Sequence, residues 1–137
     1  MNREVVFHDL GRVHYRASER IQQLLEQDVQ LHNRQYLLAL EHNPVFTLGK
    51  NADRHNLLWS EEELAKKQIQ LFETTRGGDI TYHGPGQVVV YPILNLHQIG
   101  ANLGDFVRGL EESMIRTTAR LGITSEQIKG DSGVWVR

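Results

Sequence analysis

Arg76-Gly77-Gly78-Asp79-Ile80-Thr81-Tyr82-His83 is followed at once by Gly84-Pro85-Gly86-Gln87. An imidazole between two glycine turns is a group that can exchange protons near neutral pH. Paired glycines accept φ > 0 and let a ligand approach bare backbone. Successive N–H groups in such a bend form a nest for a carboxylate or thioester oxygen. If a strand follows the bend, its period of two puts Asp79, Thr81 and His83 on one face and Ile80 and Tyr82 on the other. The same residues also read as a plain hairpin, with glycines for turns and His83 as a polar strand end.

Other chemistries find less support. The seven histidines stand at 8, 14, 32, 42, 55, 83 and 97, with no HExxH and no i, i+4 pair on one predicted helix, so no metal site is expected. No GxxxxGK[ST] loop and no GxSxG elbow occur. The chain has no cysteine, which excludes disulfides, thiolate catalysis and cysteine-based metal sites within these residues. Fifteen Lys+Arg against 17 Asp+Glu leave a net charge of −2, without the basic excess of a nucleic-acid binder. The longest apolar stretch, 88–96, is too short to span a bilayer and contains Pro92 and Asn95. No membrane partner and a cytoplasmic location are expected.

The elements that must position the glycine-histidine stretch are legible as periodic runs. Glu4–Asp9 reads as a strand. Ser18 is expected to cap a helix whose stripe is Ile21, Leu24, Leu25 and Val29. Tyr36–Glu41 reads as a buried strand, Asn43-Pro44 as a turn, and Val45–Leu48 as a second strand ending at Gly49. Ser60 and Glu63 fit a capping box. Ile69–Thr75 alternates like a strand, and Val88 to Pro92 alternates against Gln87 to Tyr91. Asn102 is placed to cap a helix that Gly122 stops, with a stripe of Leu103, Phe106, Val107, Leu110, Met114, Thr118 and Leu121. Gly133–Arg137 starts another strand with a buried-looking Val134-Trp135 pair. Hairpin-like pairs at 36–48 and 70–96 suggest an α+β fold, a mixed β-sheet with helices on one face, in a single domain over 1–137.

Arg76-Gly77-Gly78-x-x-Thr81-x-His83-Gly84-Pro85-Gly86-Gln87, then Tyr91-Pro92, resembles the signature of the lipoyl(octanoyl) transferase family. Asn43-Pro44-Val45-Phe46-Thr47-Leu48-Gly49 and Gly133-Val134-Trp135-Val136 resemble two further segments of that family in the same order. The resemblance implies a biotin/lipoate protein ligase-like fold. It implies transfer of an octanoyl group from acyl carrier protein to a lysine of a lipoyl domain, as in the glycine cleavage H protein or 2-oxo acid dehydrogenase acyltransferases, with no cofactor. It makes Arg76, Gly77, Gly78, Asp79, Ile80, Thr81, Tyr82 and His83 the substrate-binding segment, with His83 beside the thioester. The family works through a cysteine thioester and a neighbouring lysine, both later than the GVWV-like strand.

Here the chain departs from that pattern: Arg137 is its last residue, and Lys129 precedes the strand instead of following it. The expectation is a chain lacking its C-terminal part, with no catalytic residue of its own and no activity alone, because a covalent route needs an activated nucleophile. Two alternatives stand beside it. One is an ATP-dependent lipoate protein ligase, whose glycine segment usually carries paired arginines and a third glycine. The other is a non-catalytic fragment that binds acyl chains or lipoyl domains. The apolar candidates for an acyl pocket are Ile80, Tyr82, Val88 and Val90, one alternate set facing the cleft.

Overall fold

Strict alternation in the segment YLLALEH makes it the centre of the fold. The computed structural model describes residues 4–136 and divides the chain into two compact units, one of Glu4–Leu94 and one containing the chain from Asn95. In the first, β1 (Val6–Val13) leads to α1 (Tyr15–His32), then β2 (Tyr36–His42) and β3 (Val45–Leu48). A 3-10 turn at Arg54–Asn56 and α2 (Glu61–Lys66) follow, then β4 (Gln70–Glu73), β5 (Ile80–His83) and β6 (Val89–Ile93). Every second residue of β2 is buried: Tyr36, Leu38, Leu40 and His42. A strand paired on both edges with one face covered buries alternate side chains.

The expected hairpins do not form. β2 and β3 belong to different sheets, in the orders β1-β2-β6 and β4-β3-β5. β1 runs parallel to β2 and β6 antiparallel to it, while β4 runs parallel to β3 and β5 antiparallel. The architecture is α+β with mixed sheets, but the first unit alone holds two sheets where the sequence suggested one. Asn43-Pro44 is the crossing from one sheet to the other. Proline lacks the N–H a continuing ladder would need. Neither 36–48 nor 70–96 folds back on itself: β4 and β5 both pair with β3, and β6 returns to β2.

The α1 helix differs from its expected outline. It begins at Tyr15 after an N-cap at His14 that makes no side-chain capping bond. Ser18 lies inside it, fully buried, and donates its hydroxyl to the Tyr15 carbonyl at 2.8 Å. The covered stripe is Ser18, Ile21, Leu25 and Val29, and Leu24 is exposed. A hydroxyl that back-bonds within the helix can occupy a buried, closely packed position without an unmet donor. The α2 cap follows the expected pattern, with Glu63 and Ser60 bonded reciprocally.

The second unit holds α3 (Leu96–Ile99), α4 (Leu103–Arg120), β7 (Ser125–Glu126) and β8 (Trp135–Val136), the last two paired antiparallel. Asn102 caps α4 by accepting the Asp105 N–H at 2.9 Å. Phe106, Val107, Leu110 and Thr118 of the expected stripe are partly covered, but Leu103, Met114 and Leu121 are exposed. The buried residue of α4 is Glu111, whose carboxylate accepts from Gln127 Nε2 and from the Gly133 N–H, at 2.9 and 2.8 Å. Trp135 and Val136 are exposed, so the pair of residues 134–135 is not the buried element its composition suggests. Residue 137, part of the expected final strand, lies outside the described residues.

Candidate functional site

The Arg76-Gly77-Gly78-Asp79 stretch is a bend laced to the end of β3. The N–H groups of Gly49, Lys50 and Asn51 donate to the carbonyls of Asp79, Arg76 and Gly78 at 3.0, 2.9 and 3.3 Å. Gly78 has φ +83°, which glycine alone adopts freely. Gly49 is required for a different reason: a Cβ there would lie 2.3 Å from the Gly78 carbonyl oxygen. Arg76 clamps the same bend. Its Nη2 donates to the Thr47 carbonyl and hydroxyl, both at 2.8 Å, and to the Asp79 carbonyl at 2.9 Å, while Nη1 donates to the Gly77 carbonyl at 2.8 Å. The guanidinium is thus committed to holding backbone.

From this bend β5 emerges with its faces sorted. Thr81 and His83 line an open cavity of about 580 Å³, and Tyr82, on the opposite face, is exposed. The cavity is bounded by Tyr15, Glu19, Gln22, Gln23 and Glu26 of α1, by Thr47, by Thr74 to Arg76, and by Val89 and Tyr91 of β6. Of the expected segment, Arg76, Thr81 and His83 reach the cavity wall, whereas Gly77, Gly78, Asp79, Ile80 and Tyr82 do not. Asp79 instead accepts the Asp53 N–H at 2.9 Å and a bond from Asn56 Nδ2, tethering the loop that contains the 3-10 turn. The apolar set is also the other alternate one. Val89 and Tyr91 face the cavity, and Val88 and Val90 are exposed. The register of β6 on β2 decides this, since Leu40 opposes Val89 and Leu38 opposes Tyr91 on the buried face.

His83 Nδ1 is bonded to Gln87 Oε1, and Gln87 Nε2 donates to the Tyr82 carbonyl. An amide oxygen only accepts, so Nδ1 carries the proton and neutral His83 keeps its lone pair on Nε2. Beneath it, 5.5 Å away between ring centroids, lies His42, fully buried at the end of β2. His42 Nδ1 faces the Val13 carbonyl at 3.1 Å and Nε2 faces the Tyr91 hydroxyl at 2.9 Å. A carbonyl cannot donate, so Nδ1–H is the donor and Nε2 accepts from Tyr91. Burial first, and then His83, holds the His42 pKa below its ordinary 6.5, against the opposing pull of Val13. Burial, with Tyr15 next, pushes the Tyr91 phenol from 10.0 up to about 12. Burial likewise raises Tyr15.

This bend, strand and cavity sit in a chain whose residues 14–137 match the lipoyl protein ligase A/B catalytic domain. The chain belongs to that family. Over 148 aligned residues it is 42% identical to an octanoyltransferase of Flavobacterium johnsoniae, covering 99% of this chain and 64% of that protein. Over 136 residues it is 44% identical to an octanoyltransferase of Chloroflexus aurantiacus, covering 98% and 61%. It thus spans less than two thirds of the length of these relatives. Lipoate-protein ligase A bound with ATP superposes with a TM-score of 0.68 at 16% identity, over 99% of this chain and 54% of that one. P. falciparum LipL1 in complex with lipoate gives 0.64 at 18%, over 97% and 40%. At these identities the two structures speak for the ligase-type fold alone.

For this lipoyl ligase A/B domain, the sequence stretch 76–83 located the cavity but missed half of its wall. Tyr15, Glu19, Gln22 and Tyr91 join it from α1 and β6. The available signal was His42: a histidine closing an apolar alternating strand falls on the buried face by the period of two. Among the described residues no cluster of three or more metal-ligating side chains forms, and no helix is long and apolar enough to cross a membrane.

Proposed function

We propose that the protein transfers an octanoyl group from acyl carrier protein to a lysine of lipoyl domains, and that Arg76, Thr81 and His83 form part of the wall of its acyl site. The observation that carries this reading is identity of 42–44% to octanoyltransferases over nearly the whole chain. The site's chemistry supports it. Thr81 and His83 line the cavity, and with Nδ1 of His83 bonded to Gln87, Nε2 is the nitrogen left to take up a proton. The chain has no cysteine, so the reading assigns the acyl-carrying thiolate to residues outside these 137. In the first step that sulfur forms a bond to the acyl carbon, and the carrier's C–S bond breaks. In the second the lysine nitrogen bonds to the same carbon, the enzyme C–S bond breaks, and one amine proton passes through His83 to the departing sulfur. The acceptors are lipoyl domains of the glycine cleavage H protein or of 2-oxo acid dehydrogenases, and the compartment is the cytoplasm.

The test is mass spectrometry of an apo lipoyl domain incubated with the full-length gene product and octanoyl carrier protein, without nucleotide. An octanoyl increment on one lysine is expected. An increment that appears only with free octanoate or lipoate and ATP would instead make the protein a ligase. Gly77→Ala probes the bend, since a Cβ there meets nothing within 4 Å and its φ is ordinary. Slower transfer at unchanged melting temperature is expected if the bend touches the acyl group.

A further inference from the structure

The buried His42 has no part in the reaction as written, yet both of its nitrogens are committed in a fixed direction. Nδ1–H donates to Val13 and Nε2 accepts the Tyr91 proton. Tyr91 therefore gives its hydroxyl proton to His42 and not to the cavity, and its oxygen is left to accept. The neighbouring wall has the same polarity. Glu19 and Glu26 bring carboxylates, and neither enters an ion pair among the described residues. Arg76, the one Lys or Arg among the described residues that line the cavity, is committed to the carbonyls of Thr47, Gly77 and Asp79. A cavity that presents acceptors and carboxylates, with its cation tied down, suits an incoming N–H donor that carries positive charge.

We propose that Tyr91, held by His42 as a hydrogen-bond acceptor, receives the primary amine of the acyl-accepting lysine, with Glu19 and Glu26 drawing it in as the ammonium, which gives one proton to solvent before the nitrogen attacks. This deepens the transferase reading and rests on it for the identity of the amine. His42 is a positioning residue, acting only through the Tyr91 hydroxyl. The rings of Tyr15 from α1, His83 from β5 and Tyr91 from β6 pack against it, and among these His83 is the group whose charge acts on it. A proton on Nε2 would force the Tyr91 hydroxyl to reverse and would turn the acceptor into a donor.

Two measurements test it. In steady-state transfer by the full-length protein, Tyr91→Phe should raise KM for the lipoyl domain roughly 3- to 10-fold, the worth of one hydrogen bond, with a smaller change in kcat. His42→Leu should do the same, the double variant should be no worse than Tyr91→Phe alone, and His42→Gln, which keeps an acceptor and a donor, should recover much of the loss. Additive effects, or losses in kcat alone, would overturn the proposal. The second measurement needs no transfer and so separates this idea from the transferase reading. Titration with n-butylamine should shift the NMR signals of the Tyr91 ring and of the His42 side-chain nitrogens, and n-butanol should not. Equal shifts with both probes, or none with the amine, would sink the amine site even if octanoyl transfer is observed.

Discussion

Arg76 donates to acceptors at Thr47, Gly77 and Asp79, and a lysine cannot copy that fork. Arg76→Lys should therefore lose about 2 kcal/mol of stability, two or so net hydrogen bonds, read as a lower urea midpoint. A lysine variant with an unchanged midpoint would show that the bend holds itself. His42 makes a pH prediction. Its folded pKa lies below 6.5, so the unfolded chain takes up a proton that the folded chain resists. That contribution is fully present above about 6.5 and is lost as pH falls through 6.5 toward the folded value. His42→Gln should flatten the decline in unfolding free energy between neutral and mildly acid pH. An equally steep decline would place the acid sensitivity elsewhere. At this scale much was readable in advance. The spacing of Thr81 and His83 put them on one face, which lines the cavity. The role of Arg76 was not readable, because its acceptors are mainly carbonyls, and no sequence feature marks which carbonyls a fold brings to a guanidinium.

β3 is the element on which the site is hung. It pairs with β4 and β5 on its two edges, and its extension through Gly49 bonds to the bend. Gly49→Ala pushes a Cβ against backbone at 2.3 Å, so β3 and the bend must separate. A cost of about 1–3 kcal/mol is expected, from overpacking against atoms that cannot rotate away. Chemical denaturation measures it, and hydrogen exchange should show faster opening at the amides of residues 49–51. Protection equal to wild type would mean the bend tolerates the shift. The α2 cap is a cleaner local case. Ser60→Ala removes the acceptor of the Glu63 N–H and should cost about 1 kcal/mol, by the same denaturation readout. Capping at Ser60 and Asn102 was legible because both bonds are made within three residues. The start of α1 was not. Ser18 resembles a cap in sequence, but the helix extends past it to Tyr15, whose ring packs against His42 and Phe72.

The sheet of β1, β2 and β6 carries an apolar face that stays exposed among the described residues. Phe7 and Val90 lie on the same face of the first sheet as Leu37, Ala39 and Pro92, by the registers of β1 and β6 on β2. Phe7 is 59% and Val90 47% exposed, and Val88 beside them 74%. Monomeric proteins seldom leave such contiguous apolar area in water. These 137 residues expressed alone should therefore associate as concentration rises, and Val90→Lys should weaken that association in sedimentation velocity runs. A monodisperse wild-type chain across the concentration range would contradict this.

The sequence by itself determined most of the strands and helices, though not α3, β7 or the start of α1, and it determined which residues alternate and that a glycine bend leads into a strand bearing Thr81 and His83. These are local matters: periodicity, turn chemistry and capping act over a few residues. Tertiary structure alone decided that β2 and β3 part into two sheets and that β4, β5 and β6 find partners far along the chain. It also decided that Val89 and Tyr91, not Val88 and Val90, reach the cavity. Strand partners and the choice between two alternate faces depend on which distant surface is available to bury them, and a run of residues with period two is compatible with either choice.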